Sequence, residues 1–162
     1  MSFPLPPDAL EKKLVFEFFW KFSVLEFALK RAGYLKKDRE NAEPDWIRFS
    51  KEIAGCFQAL QLDGFQQAAS DLRELSPKRQ INKNGALSWK QVPRFSEESE
   101  AEYTLRFLKI VRDNLFHGGR YPEGPVFEIA RNQKILRTAL TILDGCYELY
   151  PGIQPWIAEA AA

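Results

Sequence analysis

Long stretches of this chain repeat apolar residues at the spacing of a helical turn, and glycine or proline closes most of them. The longest runs through "VFEFFWKFSVLEFALKRAG", from an expected cap and capping box at Asp8 and Glu11 to a stop at Gly33. After a polar loop over 35–44, a second begins near Asp45 and carries Trp46, Ile47, Phe49, Ile53, Phe57 and Leu60, with Gly64 as punctuation. A shorter one, "FQQAASDLREL", stops before Pro77. The next opens with a second capping box, Ser99 and Glu102, and runs to about His117, where Gly118 and Gly119 end it. Pro122 and Pro125 hold the following loop open. The last spans roughly 127–149 and carries Ile135, Leu136, Ala139, Leu140, Ile142, Leu143, Cys146 and Tyr147. Pro151 and Pro155 then close the fold, leaving "AEAAA" as a tail. Each such segment buries one stripe against its neighbours, so the expected class is all-α: a bundle of four to five helices. The 162 residues fit a single helical domain over 1–162, with its core at about 8–150.

One segment breaks the helical pattern. Residues 76–96, "SPKRQINKNGALSWKQVPRFS", contain the turn pair Asn84-Gly85 between short alternating runs. This predicts a short β-hairpin or an irregular arm. Its charges are all basic (Lys78, Arg79, Lys83, Lys90 and Arg94), with Trp89 and Phe95 between them. Such a segment is either a solvated loop anchored by its tryptophan or an arm that touches nucleic acid.

Composition narrows the function classes. The chain is 45% hydrophobic and 14% aromatic, enough for a core and unlike a disordered segment. A net charge of +1 gives no global basic field, so nucleic acid would be met by a local patch. Cys56 and Cys146 sit in apolar helical patterns and are expected as buried free thiols in a reducing compartment. "MSFPLPPDALEKK" lacks the apolar core of a secretory signal. Glu17, Lys21 and Glu26 break the richest apolar run, which excludes a membrane span and makes the cytoplasm the expected location. A single histidine and two separated cysteines leave no metal site to expect, and no phosphate loop points to a nucleotide cofactor.

The stretch "IVRDNLFHGGRYP", residues 110–122, holds the chemistry. On an ideal wheel Leu105, Leu108, Leu115 and Phe116 fall within about 60° of Arg112, placing a permanent cation in the apolar stripe. Such a group needs an anionic partner or an opening to solvent. Glu26 lies in the seam of the first helix, with Val15, Phe19, Phe22 and Leu29 within about 60° of it. Either Glu26 and Arg112 meet as a structural ion pair, or they reach the surface separately. His117 lies about 140° from Arg112, so both reach one substrate only if the last turn loosens or a second subunit contributes. Asp113 and Asn114 precede His117 by one turn and can reach the imidazole. A lone histidine at a helix end serves either as a cap or as an acid–base group.

The pattern "RDNLFH", extended to "NLFHGG" and a basic residue, resembles the Arg-x4-His signature of the HEPN superfamily, of the prokaryotic ribonuclease or toxin type. The opening "FFWKFSVLEFALKRAGY" and the order "SPKRQI", "LSW", then motif helix are similar too, so the likeness spans roughly 14–149. The resemblance implies a helical bundle that forms a homodimer with two motif helices meeting in a cleft. It also implies metal-independent endoribonuclease activity without a cofactor. In that chemistry the ribose 2′-OH attacks the adjacent phosphate, leaving a 2′,3′-cyclic phosphate and a 5′-OH. Arg112 and His117 take the family's Arg and His positions, and Asp113 takes the polar one. Asn114 is within reach to position the scissile phosphate, while Arg120, Lys78, Arg79 and Lys83 are expected to hold flanking RNA phosphates. The style is that of toxin or defence systems, with an unidentified antitoxin or defence partner. Gly119 stands where relatives paired with nucleotidyltransferase antitoxins often carry tyrosine, and Tyr121 is displaced from that position. From another class, the alternative is a non-catalytic HEPN-like dimerisation or RNA-binding module.

Overall fold

The computed structural model of the chain describes residues 9–117 and 127–160. The elements run α1 (Ala9–Arg31), α2 (Trp46–Phe57), α3 (Phe65–Leu75), β1 (Arg79–Lys83), β2 (Ala86–Lys90), α4 (Glu100–Phe116), α5 (Phe127–Leu149), a 3-10 turn (Pro151–Ile153) and α6 (Gln154–Ala160). The fold is therefore mostly helical, with one short antiparallel hairpin set before α4. Among the described residues, no helix is long and apolar enough to cross a membrane.

Local chemistry places the ends of these helices. Gly33, at φ +88°, terminates α1 in a Schellman arrangement: its N–H donates to Lys30 O and that of Tyr34 to Leu29 O. Asp45 caps α2 by accepting from the Arg48 N–H at 3.0 Å. Ser99 caps α4, and the reciprocal bond from its own N–H to Glu102 completes a capping box. The expected cap at Asp8 lies outside the described residues, as do Gly118, Gly119, Pro122 and Pro125.

The helices then bury their apolar rows in one core. Phe18, Phe22 and Leu29 of α1 meet Phe49 and Ile53 of α2, Phe65 and Leu72 of α3, Leu105 and Leu108 of α4, and Leu136 and Ile142 of α5. The main contacts join α1 to α5 and α6, α3 to α5, and α2 to α4. Ion pairs lock the outer edges: Lys21 meets Asp144 at 2.7 Å and Arg73 meets Glu100 at 3.0 Å. Gly145 marks the closest approach, because a Cβ there would overlap the buried Phe65 ring.

Three expectations are corrected. The C-terminal tail is a helix: α6 packs on α1, with Trp156 beneath the Arg31 guanidinium at 4.5 Å. Pro155 falls in its first turn, where proline costs no helical hydrogen bond. The described residues thus hold more helices than the four to five expected. Ile47, 66% exposed, and Cys56, also exposed, leave the expected buried pattern. Both lie off the row Trp46, Phe49, Ser50, Ile53 and Phe57 that faces the core. Cys146 is a buried free thiol, and its burial pushes the pKa up to about 12.

Two outcomes follow from this packing. Gly145→Ala lowers thermal stability, because overpacking costs about 1–3 kcal/mol and outweighs a helix-propensity gain of about 1 kcal/mol; a calorimetric melt reads it. Hydrogen bonds from Ser99 hold the Glu102 carboxyl below its ordinary value. Its contribution is present at neutral pH and disappears as acid protonates it. Glu102→Gln is therefore less stable than wild type at about pH 7, and the gap closes toward about pH 3 in urea titrations.

Candidate functional site

Helix α4 carries polar side chains on two separate faces. On one, Arg112 turns toward α1 and α2. Its Nη2 donates to Glu26 Oε1 at 3.3 Å, and its Nη1 donates to Asp113 Oδ1 at 2.8 Å. Glu26 Oε1 also accepts from the Trp46 indole N–H at 3.1 Å. Trp46 stacks on Phe22 at 5.2 Å, and the Arg112 guanidinium lies 5.5 Å from the Phe22 ring centre. The structure thus brings Glu26 and Arg112 together, with Trp46 as a third member. The Arg112 side chain keeps 31% exposure, and Phe116 is 57% exposed, so the apolar stripe opens at its C-terminal turn. Burial draws the pKa of neighbouring Lys109 below the usual amine value, with Lys36 and Arg112 adding to it.

The other face carries Ile110, Asp113, Asn114 and His117, the i, i+3, i+4, i+7 row of one helical side. With Arg79 and Gln80 of β1 these residues line a groove of about 240 Å³. His117 is exposed at the C-cap of α4, its N–H bonded to Asp113 O at 2.8 Å. Asn114 Nδ2 donates to Lys78 O at 2.9 Å, tying α4 to the base of the hairpin. Arg112 is not part of the groove wall. It reaches the groove only through Asp113, whose carboxylate serves both faces. Among the described residues, Arg112 and His117 thus face different sides of α4, in keeping with the wheel angle between them.

The hairpin that supplies Arg79 follows from its turn. Asn84 and Gly85 both have positive φ, +54° and +83°, as a two-residue type I′ turn demands. The register pairs Arg79 with Lys90, Gln80 with Trp89 and Lys83 with Ala86. Alternation then sets Arg79, Lys83 and Lys90 on one face and Gln80 and Trp89 on the other. Lys78 and Arg79 stand at the groove end of the arm, whereas Lys83 stands at the turn. Arg120 and Tyr121 lie outside the described residues. Among the described residues, no cluster of three or more His, Cys, Asp or Glu could hold a metal ion.

Sequence reasoning did not mark Trp46 as a hydrogen-bond donor to Glu26, nor Gln80 and Ile110 as groove walls. Trp46 reads as a core aromatic, and only the crossing of α1, α2 and α4 gives its indole N–H a role. Comparison with known protein families, with curated proteins and with solved structures finds no match.

The shared Glu26 oxygen generates a prediction. Glu26→Gln keeps a hydrogen-bond acceptor but leaves Asp113 as the anionic partner of Arg112, and costs about 1–2 kcal/mol in chemical denaturation. That is the lower part of the range for charged hydrogen bonds, because the group keeps partial solvent contact. In a double-mutant cycle with Arg112→Ala, the two effects are less than additive.

Proposed function

We propose that this protein is a HEPN-type endoribonuclease that cleaves RNA without a metal ion, in the style of toxin or defence systems. The observation that carries the reading is the groove in which the chain's single histidine shares a wall with Asp113, Asn114 and the basic Arg79. Histidine is the side chain suited to move a proton near neutral pH. His117 accepts the 2′-OH proton as O2′ attacks phosphorus. The P–O5′ bond breaks, the 5′ oxygen takes a proton from solvent, a 2′,3′-cyclic phosphate remains, and the His117 imidazolium returns its proton to solvent. Negative charge gathers on the phosphorane-like transition state, and a guanidinium stabilises it. Arg79 is placed for that role within one protomer. Arg112 takes it when a second copy completes the cleft; within its own protomer it holds Asp113. A homodimer working in the cytoplasm, with an antitoxin or defence partner, completes this reading.

The second reading, a non-catalytic RNA-binding or dimerisation module, is favoured by the binding of Arg112 to Glu26 and Asp113. A labelled single-stranded RNA incubated with EDTA separates the two. For the enzyme, wild type cuts the RNA, and His117→Ala lowers the rate by about 10²–10⁴-fold. Arg112→Ala abolishes cutting as well, and the product ends are 2′,3′-cyclic phosphate and 5′-OH. RNA bound and left intact by wild type establishes the module instead.

A further inference from the structure

A cavity of about 520 Å³ lies next to the His117 groove and shares Asn114 with it as a common wall. It opens between the C-terminal ends of α3 and α4, the N-terminal half of α5 and the base of the hairpin. Trp89, Val111 and Ile135 supply apolar surface, while Glu74, Arg131 and Asn132 supply hydrogen-bonding groups. The cavity is built rather than left over. Ser76, in the left-handed region at φ +42°, turns the chain out of α3, and its Oγ donates to Gln91 Oε1 at 3.1 Å. That bond ties the two legs of the hairpin together beside Trp89. Arg131 Nη2 donates to Leu75 O at 2.7 Å, which fixes α5 to the end of α3 on the opposite side. Trp89 remains half-buried, on the hairpin face away from Arg79, Lys83 and Lys90.

We infer that this cavity is a nucleobase subsite, taking the base next to the phosphate that sits at His117. The inference rests on the RNA reading above and names the part of the substrate that reading leaves open. An indole offers a flat apolar surface on which any base can stack. A carboxylate, an amide and a guanidinium at the walls match the donors and acceptors of a base edge. Arg79 attracts phosphate on the groove side of the hairpin base, and Lys78 lines the rim of the cavity beside it, so the groove's charge and the stacking surface lie on either side of Asn114. A strand crossing Asn114 places one phosphate in the groove and its neighbouring base in the cavity.

The test uses the full-length protein with His117→Ala, so that RNA stays intact, and measures binding of a labelled single-stranded oligoribonucleotide by fluorescence anisotropy. Adding Trp89→Ala weakens binding by about 5- to 150-fold, the value of one base stacked on an aromatic ring. Trp89→Phe retains most of the affinity, which separates lost stacking from misfolding. An abasic site scanned along the oligonucleotide weakens binding at one position with Trp89 present and has no further effect in Trp89→Ala. RNA that binds equally well to Trp89→Ala, or an abasic penalty that persists in that variant, overturns the subsite and leaves the nuclease reading intact. RNA neither bound nor cut by the wild-type protein overturns both. Binding of adenosine monophosphate without binding of RNA makes the cavity a free mononucleotide site and also overturns the inference.

Discussion

A guanidinium held at the junction of three helices imposes the strongest constraint on this structure. Arg112 cannot lose its proton, so beside the core it needs an anion or an opening to solvent, and it has both. Glu26 provides it from α1, and the same carboxylate oxygen takes the indole N–H of Trp46 at the start of α2. Three elements distant in sequence are thereby joined at one atom. The rings of Phe22 and Trp46 stack beside it and exclude water from one side. Asp113 takes a donor from the other terminal nitrogen, Nη1, which orients the carboxylate that borders the His117 groove. The network lies one turn from the C-terminal end of α4, whose last backbone bond runs from the His117 N–H to Asp113 O.

That turn is where the helix presents its polar row to the hairpin. Ile110, Asp113, Asn114 and His117 all face β1, and Asn114 is bonded to the backbone of Lys78 just before that strand. Basic arm and histidine are therefore held at one place by a side-chain–backbone bond. Strand alternation separates the hairpin's side chains, with basic groups on one face and Trp89 on the other. A single small element thus borders both the groove and the larger cavity. Arg112 and His117 belong to different faces of α4.

Much of the architecture was legible before any coordinates, because its signals are local. Gly33, Asp45, Ser99 with Glu102, and Asn84-Gly85 each satisfy backbone groups within a few residues, and each sits where those rules place it. α5 spans the expected residues because its apolar period is unbroken. The misread parts lack such signals. α6 is too short for its period to stand out among proline and alanine, and its place is decided by Trp156 and Arg31. Cys56 and Ile47 look apolar in a helical pattern, yet one residue of offset from the buried row carries each to the surface.

The sequence by itself determined the helical class, the caps, the hairpin turn and the presence of charged residues within apolar stripes. These depend on backbone hydrogen bonding and side-chain periodicity over a few turns. Tertiary structure alone decided that Glu26 answers Arg112 with Trp46 as its second donor. It also decided that Arg79 joins His117 in a groove, and that Trp89 borders a cavity sharing the Asn114 wall. The reason is geometric: helix crossing and hairpin docking bring together groups dozens of residues apart, and no local spacing encodes where those elements meet.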